Sequence, residues 1–197
     1  MKIKVAYIFL CSFLLISDLL ARDTIQVKHQ AVDHASLNVV QISKDSPIHV
    51  RLFSVSDADL GKPKHLDTAE LLSRTAPHLL AVDVVESLRG AGFDEVVVDE
   101  SNALAPEGTL VLSGKFTELN PGSQAARAWI GFGAGRSKVC VEGTLSDHAG
   151  TELGNFSHCR KGLGWGESGG QMEKSAIRVG DSIAQFLTEW ADEKYSQ

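Results

Sequence analysis

Cationic side chains are in the minority: 19 lysines and arginines stand against 25 aspartates and glutamates, a net charge of −6. That balance argues against nucleic acid and against an anionic membrane surface as the main partner. Cysteine is scarce. Cys11, Cys140 and Cys159 are too few for a multi-disulfide scaffold or a four-thiolate zinc site. Histidine pairs at ligand spacing are missing too: among His29, His34, His49, His65, His78, His148 and His158 none forms a His-x-x-x-His pair. Asp57 and Asp59 are not followed by a complete calcium loop. Neither a metal nor a cofactor is expected. Long apolar runs, internal repeats and low-complexity tracts are also wanting, and after Ile16 no stretch approaches the roughly 20 residues that cross a bilayer.

The N-terminus holds the chain's apolar run. Lys2 and Lys4 precede Val5 to Ile16, which is almost wholly apolar, and Ala21 offers a small residue before a cut, with Leu19 two positions earlier. Basic, then apolar, then small is the order of a secretory signal. Residues 1–21 are therefore expected to be a cleaved signal peptide and the remainder to work in the periplasm or outside the cell, with no transmembrane segment after cleavage. Leu10 is too large for the residue before a lipidated cysteine, which disfavours Cys11 as a lipid anchor. The mature chain then carries a net charge of −7, because Lys2, Lys4 and Asp18 leave with the signal.

Along the rest, residues 22–45 read as an N-terminal arm with at most one short strand, and 46–195 as a single domain. Ile48 to Val55 alternates as a strand. Asp67-Thr-Ala-Glu70 has the form of a capping box and opens a helical region with Leu72, Ala76, Leu80, Val84 and Leu88 on one stripe. Pro77 predicts a kink or a fresh start, and Gly90 and Gly92 an end. Glu95 to Asp99 and Thr109 to Leu119 read as strands, and Val139–Leu145 and Glu152–Phe156 as the arms of a hairpin. A last helix over about 171–194 repeats apolar residues at Met172, Ala176, Val179, Ile183, Leu187 and Trp190. The pattern implies an α/β, or α+β layered, fold: a mixed sheet of about five strands, a long antiparallel hairpin, and two main helices packed mainly on one face.

Three motifs invite a functional reading. With a loop at His148–Thr151, Asp147 faces Glu152, and the same register sets Cys140 opposite Cys159. In an exported chain that pair is a disulfide candidate; the alternative is two free buried thiols. Arg127-Ala-Trp129-Ile-Gly131-Phe132-Gly133-Ala-Gly135-Arg136 looks like a nucleotide loop but fails as one. Its third glycine comes a residue early, and it leads into a strand where the dinucleotide motif opens a helix. Arg127, Trp129, Gly131, Phe132, Gly133, Gly135 and Arg136 are the candidate binding residues, as an exposed glycine–aromatic patch. Gly166-Glu-Ser168-Gly-Gly170 matches a serine-nucleophile string, but no histidine follows Ser168. No catalytic residue is assigned.

Leu112-Ser-Gly-Lys-Phe-Thr-Glu-Leu-Asn120, Gly122-Ser, Arg127, Ile130-Gly-Phe-Gly-Ala-Gly135, Val139 to Gly143 and Asp147-x-x-Gly150 resemble the bacterial domain-of-unknown-function family 4410. The resemblance implies a small exported protein or lipoprotein of Gram-negative bacteria, and this chain departs from the lipoprotein members in lacking a lipidation motif. At fold level the layout is similar to periplasmic modules such as the N-terminal domain of TolB and the curli-secretion lipoprotein, which act through protein partners. The expectation is a non-enzymatic envelope protein that binds another envelope protein through an exposed strand edge or the glycine–aromatic segment. The alternatives are a small hydrolase using Ser168 and a periplasmic small-molecule binder. The sequence leaves the oligomeric state open.

Overall fold

Short alternating stretches supply the strands of a computed structural model of the chain, which describes residues 24–61, 66–101, 103–121, 137–162 and 170–192. In chain order the elements are β1 (Ile25–Val27), β2 (His34–Leu37), β3 (Ile48–Arg51), α1 (Leu66–Gly90), β4 (Val96–Asp99), β5 (Leu110–Asn120), β6 (Lys138–Ser146), β7 (Glu152–Lys161) and α2 (Gly170–Ala191). The strands form one mixed sheet in the order β1-β2-β7-β6-β5-β3-β4. β3 pairs in parallel with both β4 and β5, and the other neighbours are antiparallel. The sheet thus has seven strands where the sequence pattern implied about five. The surplus is β1 and β2, three and four residues long, too short to show a period of two by themselves. Their pairing with each other and with β7 gives the arm its structure.

Both helices lie on one face. α1 packs over β3, β4 and β5, α2 over β6 and β7, and the two pack against each other. The stripes foreseen on the helices are buried: Leu72, Ala76, Leu80, Val84 and Leu88 on α1, and Ala176, Val179, Ile183, Leu187 and Trp190 on α2; the Met172 side chain lies outside the described residues. They meet Leu37, Ile48, Val50, Leu112, Phe116, Val139, Val141, Leu145 and Phe156 from the sheet. α1 continues through Pro77, whose missing N–H leaves the Ser73 carbonyl without its helical donor. It ends at Gly90, and the chain turns away at Gly92, where φ is +89°. The amide of Gly92 bonds to the Arg89 carbonyl and that of Phe93 to the Leu88 carbonyl, the paired bonds that a left-handed residue at this position permits.

Strand alternation sends the polar side chains to the other face, which no described helix covers. Ser113, Thr144, Asn155 and Ser36 follow one another across the sheet in register. The N-terminal strands are tied to the last helix by long-range bonds. The Trp190 indole donates to the Val39 carbonyl at 3.2 Å, and Gln41 donates to the Ala191 carbonyl at 2.6 Å. The amide of Ala31 donates to His29 Nδ1, so the ring proton sits on Nε2, which meets Glu189 at 2.6 Å.

Candidate functional site

The three long strands β5, β6 and β7 end together, and that end is fastened. Asn120 pairs with Lys138, and Lys138 with Lys161. Cys140 and Cys159 are directly opposite, as the hairpin register required, and form a disulfide with a Cα–Cα separation of 4.1 Å. The close approach marks a pair that exchanges no backbone bonds. The Cys159 amide accordingly turns away from β6 and donates to Asp33 Oδ2 at 2.7 Å. On the other side of Cys140, Lys138 Nζ lies 2.6 Å from Glu118 Oε2. Asp59 forms a parallel bridge to Glu118, which brings the segment after β3 to the same end. The amide of Gly162 donates to the Ser137 carbonyl at 2.9 Å and closes the ladder.

Residues 122–136 connect Pro121 to Ser137, and residues 163–169 connect Gly162 to Gly170. Both glycine-rich stretches therefore start from one clamped end. The candidate binding residues Arg127, Trp129, Gly131, Phe132, Gly133, Gly135 and Arg136 lie outside the described residues, as does Ser168. What the structure does place is their anchorage.

The hairpin turn reaches the foreseen pairing by another route. Asp147 caps the turn, its Oδ1 accepting the amides of Ala149 and Thr151. Ser146, and not Asp147, faces Glu152, and a bulge then restores the register at Leu145 and Gly154. The lysine pair follows from the same register as the cysteine pair, so the sequence already contained its signal.

A second polar cluster was not foreseen. His49, Arg51 and Asp99 meet on the open face where the parallel strands β3 and β4 end. Asp99 Oδ2 is 3.6 Å from both His49 Nδ1 and Arg51 Nε. The Ser101 hydroxyl donates to Asp99 Oδ1 at 2.7 Å and is the main reason the carboxyl stays below its usual range, with the His49 and Arg51 charges adding to it. This is not a nucleophile arrangement, because the serine is held by the carboxylate and not by the imidazole. It ties β3 and β4 to the following loop, where Arg51 also donates to the Ala103 carbonyl.

Two more titratable groups are enclosed by the fold. His158 is buried, and burial pushes its imidazole down against the opposing pull of Asp33, 3.4 Å away. Asp83 of α1 faces Gly180 of α2 so closely that a Cβ there would sit 2.5 Å from Asp83 Oδ2. That oxygen is shut off from solvent, with the backbone amide of Asp181 as its polar neighbour. Burial first, then the charges of Asp181 and Glu86, raise the Asp83 carboxyl to about 6. Among the described residues no three histidine, cysteine or acidic side chains gather as a metal site, and no helix is long and apolar enough to cross a membrane.

The family described as a domain of unknown function, DUF4410, matches residues 25–165. No curated protein matches the chain. Among solved structures, a PelC dodecamer from Paraburkholderia phytofirmans is similar at 15% identity with a TM-score of 0.44, covering 82% of this chain and 96% of that one. A DUF330-family protein from Xanthomonas campestris is similar at 12% identity and a TM-score of 0.46, over 79% and 90% of the two chains. Likenesses of this size carry no functional argument.

Proposed function

The chain belongs to the DUF4410 family of unknown function, and from that premise we propose that it is an exported, non-enzymatic envelope protein that binds a protein partner through the glycine–aromatic segment 122–136. The observation that carries this reading is the anchorage: two glycine-rich stretches leave side by side from a sheet end fastened by a disulfide and an ion pair. Fixing the roots of a recognition loop lowers the ordering cost that binding must meet, and loops on a rigid scaffold are the usual seat of recognition. The outer strand edges serve the purpose less well. β1 has three residues, and β4 has four, with the Arg89 guanidinium already bonded to the Val96 carbonyl at 2.5 Å. Short and blunted edges discourage strand addition.

The test is in-cell crosslinking and affinity capture of the tagged protein, with its location and intact mass determined. Recovery from the periplasm with an N-terminus at Arg22, and one recurrent envelope protein lost on Trp129→Asp or Phe132→Asp, sustain the proposal. A monodisperse monomer with no recurrent partner, or recovery from the cytoplasm with the first 21 residues intact, refutes it.

A further inference from the structure

We propose that residues 28–33, the strap that joins β1 to β2, form an acid-released latch: a proton taken up by His158 opens the strap while the rest of the sheet stays folded. Ala31 and Val32 of the strap are buried and join the core, and an imidazole lies at each of its ends. At the near end the His29 side chain is 4% exposed. Its ring stands edge-on to Phe186 of α2, its Nδ1 accepts the Ala31 amide at 2.9 Å, and its Nε2 meets Glu189 at 2.6 Å.

At the far end the His158 side chain is 7% exposed, with Asp33 Oδ2 3.4 Å from its Nδ1. Both ring nitrogens are shut off from solvent, and Nε2 has no hydrogen-bond partner among the described residues. A neutral imidazole tolerates that enclosure far better than a cation, whose second N–H would be buried without an acceptor. The charged groups acting on the ring are Asp33 of the strap and Arg160 of β7. Its register partner on β6 is the apolar Val141, and from α2 the Ser182 hydroxyl takes the Arg160 guanidinium. Burial and Arg160 outweigh the pull of Asp33 and hold the imidazole below its ordinary 6.5. The opened chain therefore takes up the proton first, and the closed strap loses ground as pH falls through about 6.5.

Opening stays local because the fastenings differ along the chain. The strap itself is held at this end by the Asp33 amide on the Ser157 carbonyl, at 3.0 Å, and by Asp33 Oδ2 accepting the Cys159 amide at 2.7 Å. Before it stands β1, an edge strand of three residues. At the near end, a proton added to His29 would displace the Ala31 amide from Nδ1, so that hold does not tighten in acid. After the strap, β2 is paired with β7, and Val39 and Gln41 are bonded to Trp190 and Ala191 of α2. Segments with few fastenings open below the global unfolding free energy.

Amide hydrogen exchange of the purified protein at pH 7.5 and pH 5.0, corrected for the intrinsic effect of pH on exchange, tests this. Protection of the Asp33 and Cys159 amides should fall in acid by up to about thirtyfold, the limit for one imidazole of ordinary pKa near 6.5. Amides of α1 and β5 should keep theirs. His158→Phe and His158→Gln, one apolar and one polar, cannot take the proton, and each should keep the Asp33 and Cys159 amides protected at pH 5.0. Protection of the two amides that is unchanged at pH 5.0, an acid loss spread evenly over α1 and β5, or the same loss in both variants overturns the proposal.

Discussion

Replacing Asp83 by Asn should stabilise the protein at neutral pH and leave it unchanged in acid. The carboxyl is held at about 6 in the fold against an ordinary value of 3.8. Between those two values the folded chain keeps a proton that the unfolded chain has released, so stability falls as pH rises through that window and the full penalty is present above it. At about 1.4 kcal/mol per pKa unit the penalty has a ceiling of about 3 kcal/mol. Asp83 is half-buried, and solvent screening of the charges of Asp181 and Glu86 brings the expected figure to about 1–2 kcal/mol. Asn keeps the shape of the protonated acid beside Gly180 and never ionises. Urea unfolding at pH 7.5 should therefore show Asp83→Asn more stable by that amount, with a melting temperature about 2–8 °C higher for a chain of this size. At pH 3.5 the two proteins should coincide. An equal difference at both pH values, or a less stable variant at pH 7.5, would refute the view that burial at the helix seam raises this carboxyl.

Removing the disulfide through Cys140→Ser with Cys159→Ser should cost about 3 kcal/mol on the chain-entropy model, given a sequence separation of 19 residues; a reductant added to the parent during urea unfolding should reproduce the loss. His158 titrates in the opposite sense to Asp83. Burial depresses its imidazole, so the unfolded chain takes up the proton first and stability falls as pH drops through about 6.5. His158→Phe should flatten that acid limb in a thermal-melt pH series, and an unaltered limb would show that another group governs it.

Where the sequence was read correctly, the signal was local and periodic. The stripes on α1 and α2 lie one or two turns apart, and the β6–β7 register is set by a five-residue turn around Asp147 and Gly150. The cysteine pairing followed from that register even though the turn is one residue out of step with the simple alignment, because the bulge after Leu145 cancels the offset. What escaped were features decided at a distance. β2 is a strand because Ser157, Phe156 and Gly154 of β7 lie beside it, more than 100 residues later, and its own four residues carry little pattern. The parallel pairing of β3 with β4 and β5 depends on α1 crossing over the sheet, which no spacing in the strands records. The cluster of Asp99 with His49 and Arg51 exists only because two strands 48 residues apart in sequence lie in register. The lysine pair is different in kind: it stood in the same ladder as the cysteines and needed only to be read as charge.

The bonds between the first strands and the last helix also set an order of events. His29 to Glu189, Gln41 to Ala191 and Val39 to Trp190 span 160, 150 and 151 residues. Contacts at such separation close the largest loops in the chain and form late, after the entropy of closure has been met. A ribosome must release the chain through Trp190 before that indole can seat against Val39. Until then β1 and β2 have neither the hydrogen bonds of β7 nor the cover of α2. The nascent sheet therefore stays incomplete until α2 has emerged, and β1 and β2 remain available to chaperones throughout that interval.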